Sequence, residues 1–273
     1  MRLLPLCSLA AVAVLAACGL PKTVSPRLVV SPYYAAYQLR GKLGMQSPSA
    51  SGPVDNNPQT LRNLGQDHYE DDYGIRVDVG DGMTGLRAEW YRAGMNPTST
   101  GVLDDDFGHL LANDTVQSVV RMNEYRIGYL QQVWEAHGAL YDRPLDFAFA
   151  AGGILAHRDL EMHVHTTDLA RNQDIDISDD GVVYGALRFR AGWQSLAFVL
   201  EYAISPDLSF GGDFQGTQQD FEARLTYMVP FQDIGLFVGY RYSTMSVEGV
   251  EGGLGFDGNL KLDGIQLGVT VSF

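Results

Sequence analysis

Cysteine is almost missing from this chain: 273 residues hold two, Cys7 and Cys18, both near the N-terminus. Past residue 18 no disulfide, cysteine-ligated metal or thiol nucleophile can form. Long apolar runs are missing too. After residue 17 nothing approaches the roughly 20 residues of a membrane helix. A chain of this kind can enter a bilayer only as a closed barrel, which satisfies every backbone polar group internally. Basic charge is scarce, with 19 Lys and Arg against 33 Asp and Glu, for a net −14. That balance, with no basic patch, excludes nucleic acid as a partner. There is no Gly-Xaa-Ser-Xaa-Gly elbow and no phosphate loop. The residues assign no catalytic group, cofactor or metal, and a non-enzymatic role is the first reading.

What the chain does carry begins at its ends. Met1 and Arg2 are followed by an apolar stretch over residues 3–17, the length of a signal peptide. Leu15-Ala16-Ala17-Cys18-Gly19 resembles the lipobox of bacterial lipoproteins. The resemblance implies cleavage after residue 17, acylation of Cys18, and a periplasmic tether over residues 18–30. An ordinary cleaved signal with an incidental cysteine is the alternative.

At the other end, Ile265, Leu267, Val269, Val271 and Phe273 alternate with Gln266, Gly268, Thr270 and Ser272. One face of this strand is apolar and the other small or polar. Similar alternation recurs upstream around Tyr33–Leu43, Tyr73–Val79, Leu86–Trp90, Tyr125–Val133, Leu145–Leu155, Val183–Trp193, Leu196–Ile204, Phe221–Val229 and Ile234–Tyr242. Parity flips place turns at 80–83, 137–144, Gln194 and 230–233. The longer connections fall near 45–72, 93–118, 166–181, 206–217 and 247–259.

These features resemble bacterial outer-membrane β-barrels over residues 31–273, with the C-terminal aromatic strand as their assembly motif. The resemblance implies an all-β, closed antiparallel transmembrane barrel of about ten strands, eight or twelve being the other counts. It implies outer-membrane localisation with both termini periplasmic. It also implies outer-membrane lipid, lipopolysaccharide and the barrel-assembly machinery as partners. Trp193, Phe231, Phe273, Tyr33 and Tyr37 would form one aromatic girdle, and Trp90, Tyr125, Tyr202 and Tyr242 the other.

If the apolar faces meet lipid, the opposite faces line the bore. That places Arg76, Arg87, Glu89, Glu124, Arg126, Arg188, Arg190, Glu201, Glu222, Arg224 and Arg241 in a lumen network. Arg40, Lys42, Asp78 and Asp146 join them. Paired charges would fill the bore; a narrow pore with limited permeation is the other reading. The acidic excess falls in the loops, at Asp67, Glu70–Asp72, Asp104–Asp106, Asp174, Asp176, Asp179, Asp180, Glu248 and Glu251.

Histidines give the only further chemistry. His157, Asp159, Glu161, His163 and His165 share one face of a ribbon projecting past the membrane, with Asp174 and Asp176 expected on the other. His163 and His165 are spaced to share a metal, but two neighbours do not close a site. A surface-facing barrel hydrolase of omptin-like architecture is the alternative function. It would draw on loop residues such as His68 beside Asp67, or His109 after Asp104–Asp106.

Overall fold

A computed structural model describes residues 27–66, 68–96, 100–179, 181–206, 212–230 and 232–273. The signal segment, Cys18, Asp67, Asp180 and Phe231 lie outside the described residues. Among the described residues the regular elements are all strands. They are β1 (Arg27–Met45), β2 (Gln59–Thr60), β3 (Glu70–Gly80), β4 (Gly85–Met95), β5 (Gly101–Val102), β6 (Thr115–Leu140) and β7 (Arg143–Thr166). There follow β8 (Asn172–Ser178), β9 (Val182–Trp193), β10 (Leu196–Pro206), β11 (Phe214–Met228), β12 (Ile234–Glu251) and β13 (Leu254–Ser272).

Ten of these close a ring in the order β1-β3-β4-β6-β7-β9-β10-β11-β12-β13, with β13 pairing back onto β1. Every ladder is antiparallel. A path that starts at Arg27 crosses Gly80, Gly85, Leu130, Gly152, Ala186, Ala203, Asp220, Ser243 and Leu262. It returns to β1 at Leu39, twelve residues further along the strand. That stagger over ten strands sets a tilt of about 40° and a backbone radius of about 10 Å. Such a bore is narrow enough for side chains to fill.

Arg27 and Phe273 lie at one end, where the Phe273 N–H donates to Leu28 O at 2.8 Å. The turns at 81–84, 141–142 and 194–195, and the junction between β11 and β12, share this terminal end. The other end carries the larger connections and is the loop end. β1 starts at Arg27, ahead of the expected residue 31. The 137–144 turn is shorter than expected. Strand pairing continues to Leu140↔Arg143, leaving Tyr141 and Asp142, both at positive φ, as the two central residues. Likewise 247–259 is no long loop. It is a hairpin paired to Glu251↔Leu254 and turned on Gly252 and Gly253, both at positive φ.

The outward face carries an apolar band. Leu187, Phe198, Leu225, Leu236, Val238, Ile265, Leu267 and Val269 are exposed around the barrel. On β9 the band runs from Trp193 to Val183; ten steps of about 3.3 Å at this tilt span about 25 Å, the apolar height of an outer-membrane barrel. Tyr73, Trp90, Tyr125 and His157 form a row of touching rings across four adjacent strands, with centroids 5.5, 6.5 and 6.3 Å apart. This row borders the band on the loop side. Trp193 and Phe273 border it at the terminal end. Tyr33 and Tyr37 do not: both are buried in the bore, at 5% and 0% exposure.

Above this band the polarity inverts. On β7, outward Phe147, Phe149, Ala151 and Leu155 give way to His157, Asp159, Glu161, His163 and His165. Inward Asp146 and Arg158 give way to the buried Leu160, Met162 and Val164. On β12 and β13 the inward set becomes Met245, Val247, Leu254, Phe256, Leu260 and Leu262. The loop half of the barrel is therefore packed like a soluble protein. Leu61, Leu64, Leu103, Phe107 and Leu110 from the two largest loops close it.

The inversion corrects the reading of β1. Leu39 and Leu43 point in, and Arg40 and Lys42 point out rather than into the bore. Their region of β1 pairs with Asn259–Leu262 of the loop half, where the apolar side is the inner one. The ribbon is corrected too: His163↔Asp174 and Glu161↔Asp176 are direct cross-strand partners, so these acids share the histidine face.

Leu267→Arg places a cation on the outward face between the two aromatic borders. It should cost about 2–4 kcal/mol in denaturant unfolding from lipid bilayers. Leu160→Ala should cost about 2–5 kcal/mol, because it hollows a packed core. A negligible effect of the second change would mean that the loop half is water-filled.

Candidate functional site: the closed bore

Inward positions of adjacent strands meet across a bore of this radius, so charged side chains there must find partners or stay unsatisfied. They form three tiers. Nearest the terminal end, Arg87 Nε donates to Asp78 Oδ1 at 2.8 Å and Arg87 Nη1 to Glu201 Oε2 at 3.0 Å. Arg188 Nε donates to the same Glu201 Oε2 at 2.7 Å, and its Nη1 donates to Gly82 O of the β3–β4 turn at 2.5 Å.

In the middle tier Arg76 bridges two strands. Its Nη1 donates to Glu222 Oε1 at 2.7 Å and its Nη2 to Glu89 Oε1 at 2.8 Å. Arg241 Nη2 donates to Glu89 Oε2 at 2.8 Å and Glu222 Oε2 at 3.3 Å. Tyr33 adds a hydroxyl donor to Glu89 Oε1 at 3.0 Å. Two arginines and two glutamates thus form a closed four-membered cycle across the bore, from β3, β4, β11 and β12.

The upper tier centres on Glu124. It accepts from Arg126, from Arg158 Nε at 2.7 Å and from the Tyr91 hydroxyl at 2.7 Å. Arg126 also pairs with Asp220. Arg158 reaches Gln218 Oε1 at 2.8 Å and the Tyr184 hydroxyl at 3.3 Å. Aromatic faces cover the guanidinium groups: Arg241 lies 4.5 Å from the Tyr91 ring centroid, and Arg158 lies 5.2 Å from Phe214. Six arginines face six carboxylates in these tiers, so charge is balanced. Arg76, Arg158 and Arg241 are each at most 2% exposed.

Of the residues assigned to the lumen network, nine take part in these contacts. Arg224 stands beside them, with its Nε 3.7 Å from Glu222 Oε1. Arg190 stands half-buried at the terminal mouth, and Asp146 is exposed there beside His137. Sequence reasoning missed Arg158 and Asp220. Each continues the inward parity of its strand: Arg158 follows Asp146 on β7, and Asp220 precedes Glu222 and Arg224 on β11. It also missed Tyr91 and Tyr184, which continue the inward parity of β4 and β9, and it placed Tyr33 toward lipid.

The assembly-motif residues Ile265, Leu267, Val269 and Phe273 point outward, from 37% to 74% exposed, and Val271 is half-buried on the same face. His157, His163 and His165 lie on β7, away from His68, His109 and His137. His68 Nε2 meets Glu70 at 2.8 Å and His163 Nδ1 meets Asp174 at 2.9 Å. His157 Nδ1 lies 3.3 Å from Asp179, whose carboxyl burial raises above its usual range. His109 is exposed. Asp104 and Asp105 instead accept from Asn63 and Asn57, tying the two capping loops together. Among the described residues no group of three or more His, Cys, Asp or Glu could hold a metal ion.

Among solved structures, the chain is similar to the outer membrane protease OmpT of Escherichia coli. The TM-score is 0.50 and the identity 10%, over 94% of this chain and 99% of that one. A Pseudomonas aeruginosa FadL homologue matches at TM-score 0.32 and 8% identity, over 92% and 90%. The Pseudomonas putida toluene transporter TodX matches at TM-score 0.30 and 6% identity, over 92% and 91%. No protein-family model and no curated protein matches the chain. The fold is that of outer-membrane β-barrels. More narrowly, it is a ten-stranded barrel with a charge-filled bore and a capped apolar half.

Glu222→Leu breaks the four-membered cycle and leaves Arg76 and Arg241 with Glu89 as their one shared carboxylate in a buried site, and should cost about 3–5 kcal/mol. The Arg76→Met/Glu222→Leu double variant should lose less than the two single variants summed. Additive losses in denaturant unfolding would contradict a direct pair.

Proposed function

We propose that the protein is an integral outer-membrane barrel that is closed to solute flow and acts through its outer surface. The observation that carries this reading is the double closure of the bore. A balanced Arg–Glu network fills the half within the apolar band, and a packed apolar core fills the half beyond it. Water and ions would have to break buried charge pairs and then cross a hydrocarbon-like interior, each at a cost of several kcal/mol.

In this reading the terminal end faces the periplasm and the loop end faces outward. Cys18 is acylated and tethers the chain to the periplasmic leaflet. The terminal aromatic strand, ending in Phe273, is presented to the barrel-assembly machinery. Outer-membrane lipid contacts the apolar band, and the acidic loop end stands beside lipopolysaccharide. That surface includes Asp104, Glu248, Glu251 and Asp257, all outside the core.

The protease named among the similar structures suggests a hydrolase as the second possibility. A hydrolase needs an open cleft in which an acid and a base converge. Here Leu61, Leu64, Leu103, Phe107 and Leu110 fill the bore at the loop end, the cleft of about 530 Å³ beside Asp55, Glu248 and Asp257 has no histidine in its lining, and the histidine–carboxylate pairs are dispersed over β3, β7 and β8. The closed-barrel reading therefore fits this chain better.

Planar-bilayer recording tests it. The wild type should give no steady conductance. Replacing Arg76, Arg188, Arg224 and Arg241 by Ala should leave it closed, because the apolar half is a second seal. Adding Met162→Ser and Phe214→Ser should open it. A steady wild-type conductance would overturn the proposal.

A further inference from the structure

A cavity of about 240 Å³ lies at the terminal end of the bore, below the lowest tier of charge pairs. We propose that it is a binding site for a tetrahedral oxyanion of the phosphate class.

The argument rests on which charges around it are already committed. Five arginines and two aspartates line the cavity. Both aspartates are engaged. Asp78 accepts from Arg87 Nε at 2.8 Å. Asp81 Oδ1 accepts the Met83 and Thr84 N–H groups of its own turn, at 2.8 and 2.5 Å. Arg87 and Arg188 are held by Asp78 and Glu201.

Among the described residues, three arginines are left over. Arg224 has only Glu222, with its Nε 3.7 Å from the carboxylate, beyond hydrogen-bond reach. That Nε is buried and has no hydrogen-bond partner. Its guanidinium lies over the Phe237 ring at 5.1 Å, which fixes the group in the wall. Arg190, two residues nearer the mouth than Arg188 on β9, is half-buried on the same wall and takes no carboxylate from the tiers. Arg27 at the rim meets only the exposed Asp233, at 3.8 Å.

Hydroxyl groups complete the lining. Thr226, Thr270 and Ser272 face the cavity, and Ser31 Oγ donates to Thr270 Oγ1 at 3.1 Å. The free groups are thus guanidinium forks and hydroxyls around a cationic excess. Guanidinium forks match phosphate oxygens in bidentate geometry. The volume admits a phosphate and a short substituent. A soluble phosphate and a phospholipid head group offer the same oxygens to these donors.

The test uses the folded full-length protein in detergent, with inorganic phosphate as the probe. Isothermal titration and phosphorus NMR line broadening should report one saturable site whose affinity falls as ionic strength rises. Arg190→Gln at the half-buried rim, and Arg224→Gln within, should each weaken phosphate binding at least tenfold. Heat-modifiable gel migration verifies that each variant is folded. Arg40→Gln, on the outer surface of the loop half, should leave binding unchanged. Displacement of phosphate by short-chain phosphatidylglycerol would assign the site to a lipid head group; no displacement would assign it to a soluble anion. Absence of saturable phosphate binding by the wild type would overturn the proposal. So would unchanged binding in a folded Arg190→Gln variant.

Discussion

Closure of the β13–β1 ladder is the constraint on which the rest depends. Once the last strand pairs with the first, the ten-strand ring has no open edge and the stagger is fixed at twelve residues. Stagger and strand number then set the radius. At about 10 Å the bore is too narrow to stay a wide channel and too wide to close on small side chains. Arginine, glutamate and tyrosine have the length to reach across it. The guanidinium groups of Arg76 and Arg241 each bridge carboxylates from other strands, so the network also joins strands that the ladders do not join directly.

The barrel meets two solvents along one axis. Within the apolar band the outside is hydrocarbon, and the only place for polar side chains is the bore. Beyond the band the outside is water, and the hydrophobic effect turns the same strands inside out without a break in the pairing. β7 does this in a single span: Leu155 faces out and Leu160 faces in, with Arg158 and the Tyr125–His157 ring contact at the crossing. A continuous strand of about 24 residues can serve both media because alternation survives while its meaning reverses.

That reversal explains what could be read in the residues and what could not. The all-β class, a ring of about ten strands and the antiparallel order follow from alternation and turn chemistry. The inward positions of Arg76, Arg87, Glu89, Arg188, Glu201, Glu222 and Arg241 follow from the outward parity of β3, β4 and β9–β12. In β1 the same rule failed. Tyr33 and Tyr37 face inward among polar partners, and Arg40 and Lys42 lie beyond the band. Alternation alone does not say which solvent a strand segment meets. The length of β12 and β13 was missed for the same reason, since Met245, Val247 and Phe256 were apolar on what looked like the wrong face. The cationic mouth was not legible either. It depends on which arginines remain uncommitted after pairing, a property of the assembled bore.

The most direct test of the account is a spin-label scan along the outward face of β7 in lipid bilayers. It places one label at a time at Phe149, Ala151, Leu155, Glu161 and His165. The account predicts oxygen-accessible, lipid-like positions through Leu155 and water-accessible positions at Glu161 and His165, with the crossing near His157. Lipid-like accessibility continuing to His165 would contradict the inversion, and with it the packed apolar half and the double closure of the bore.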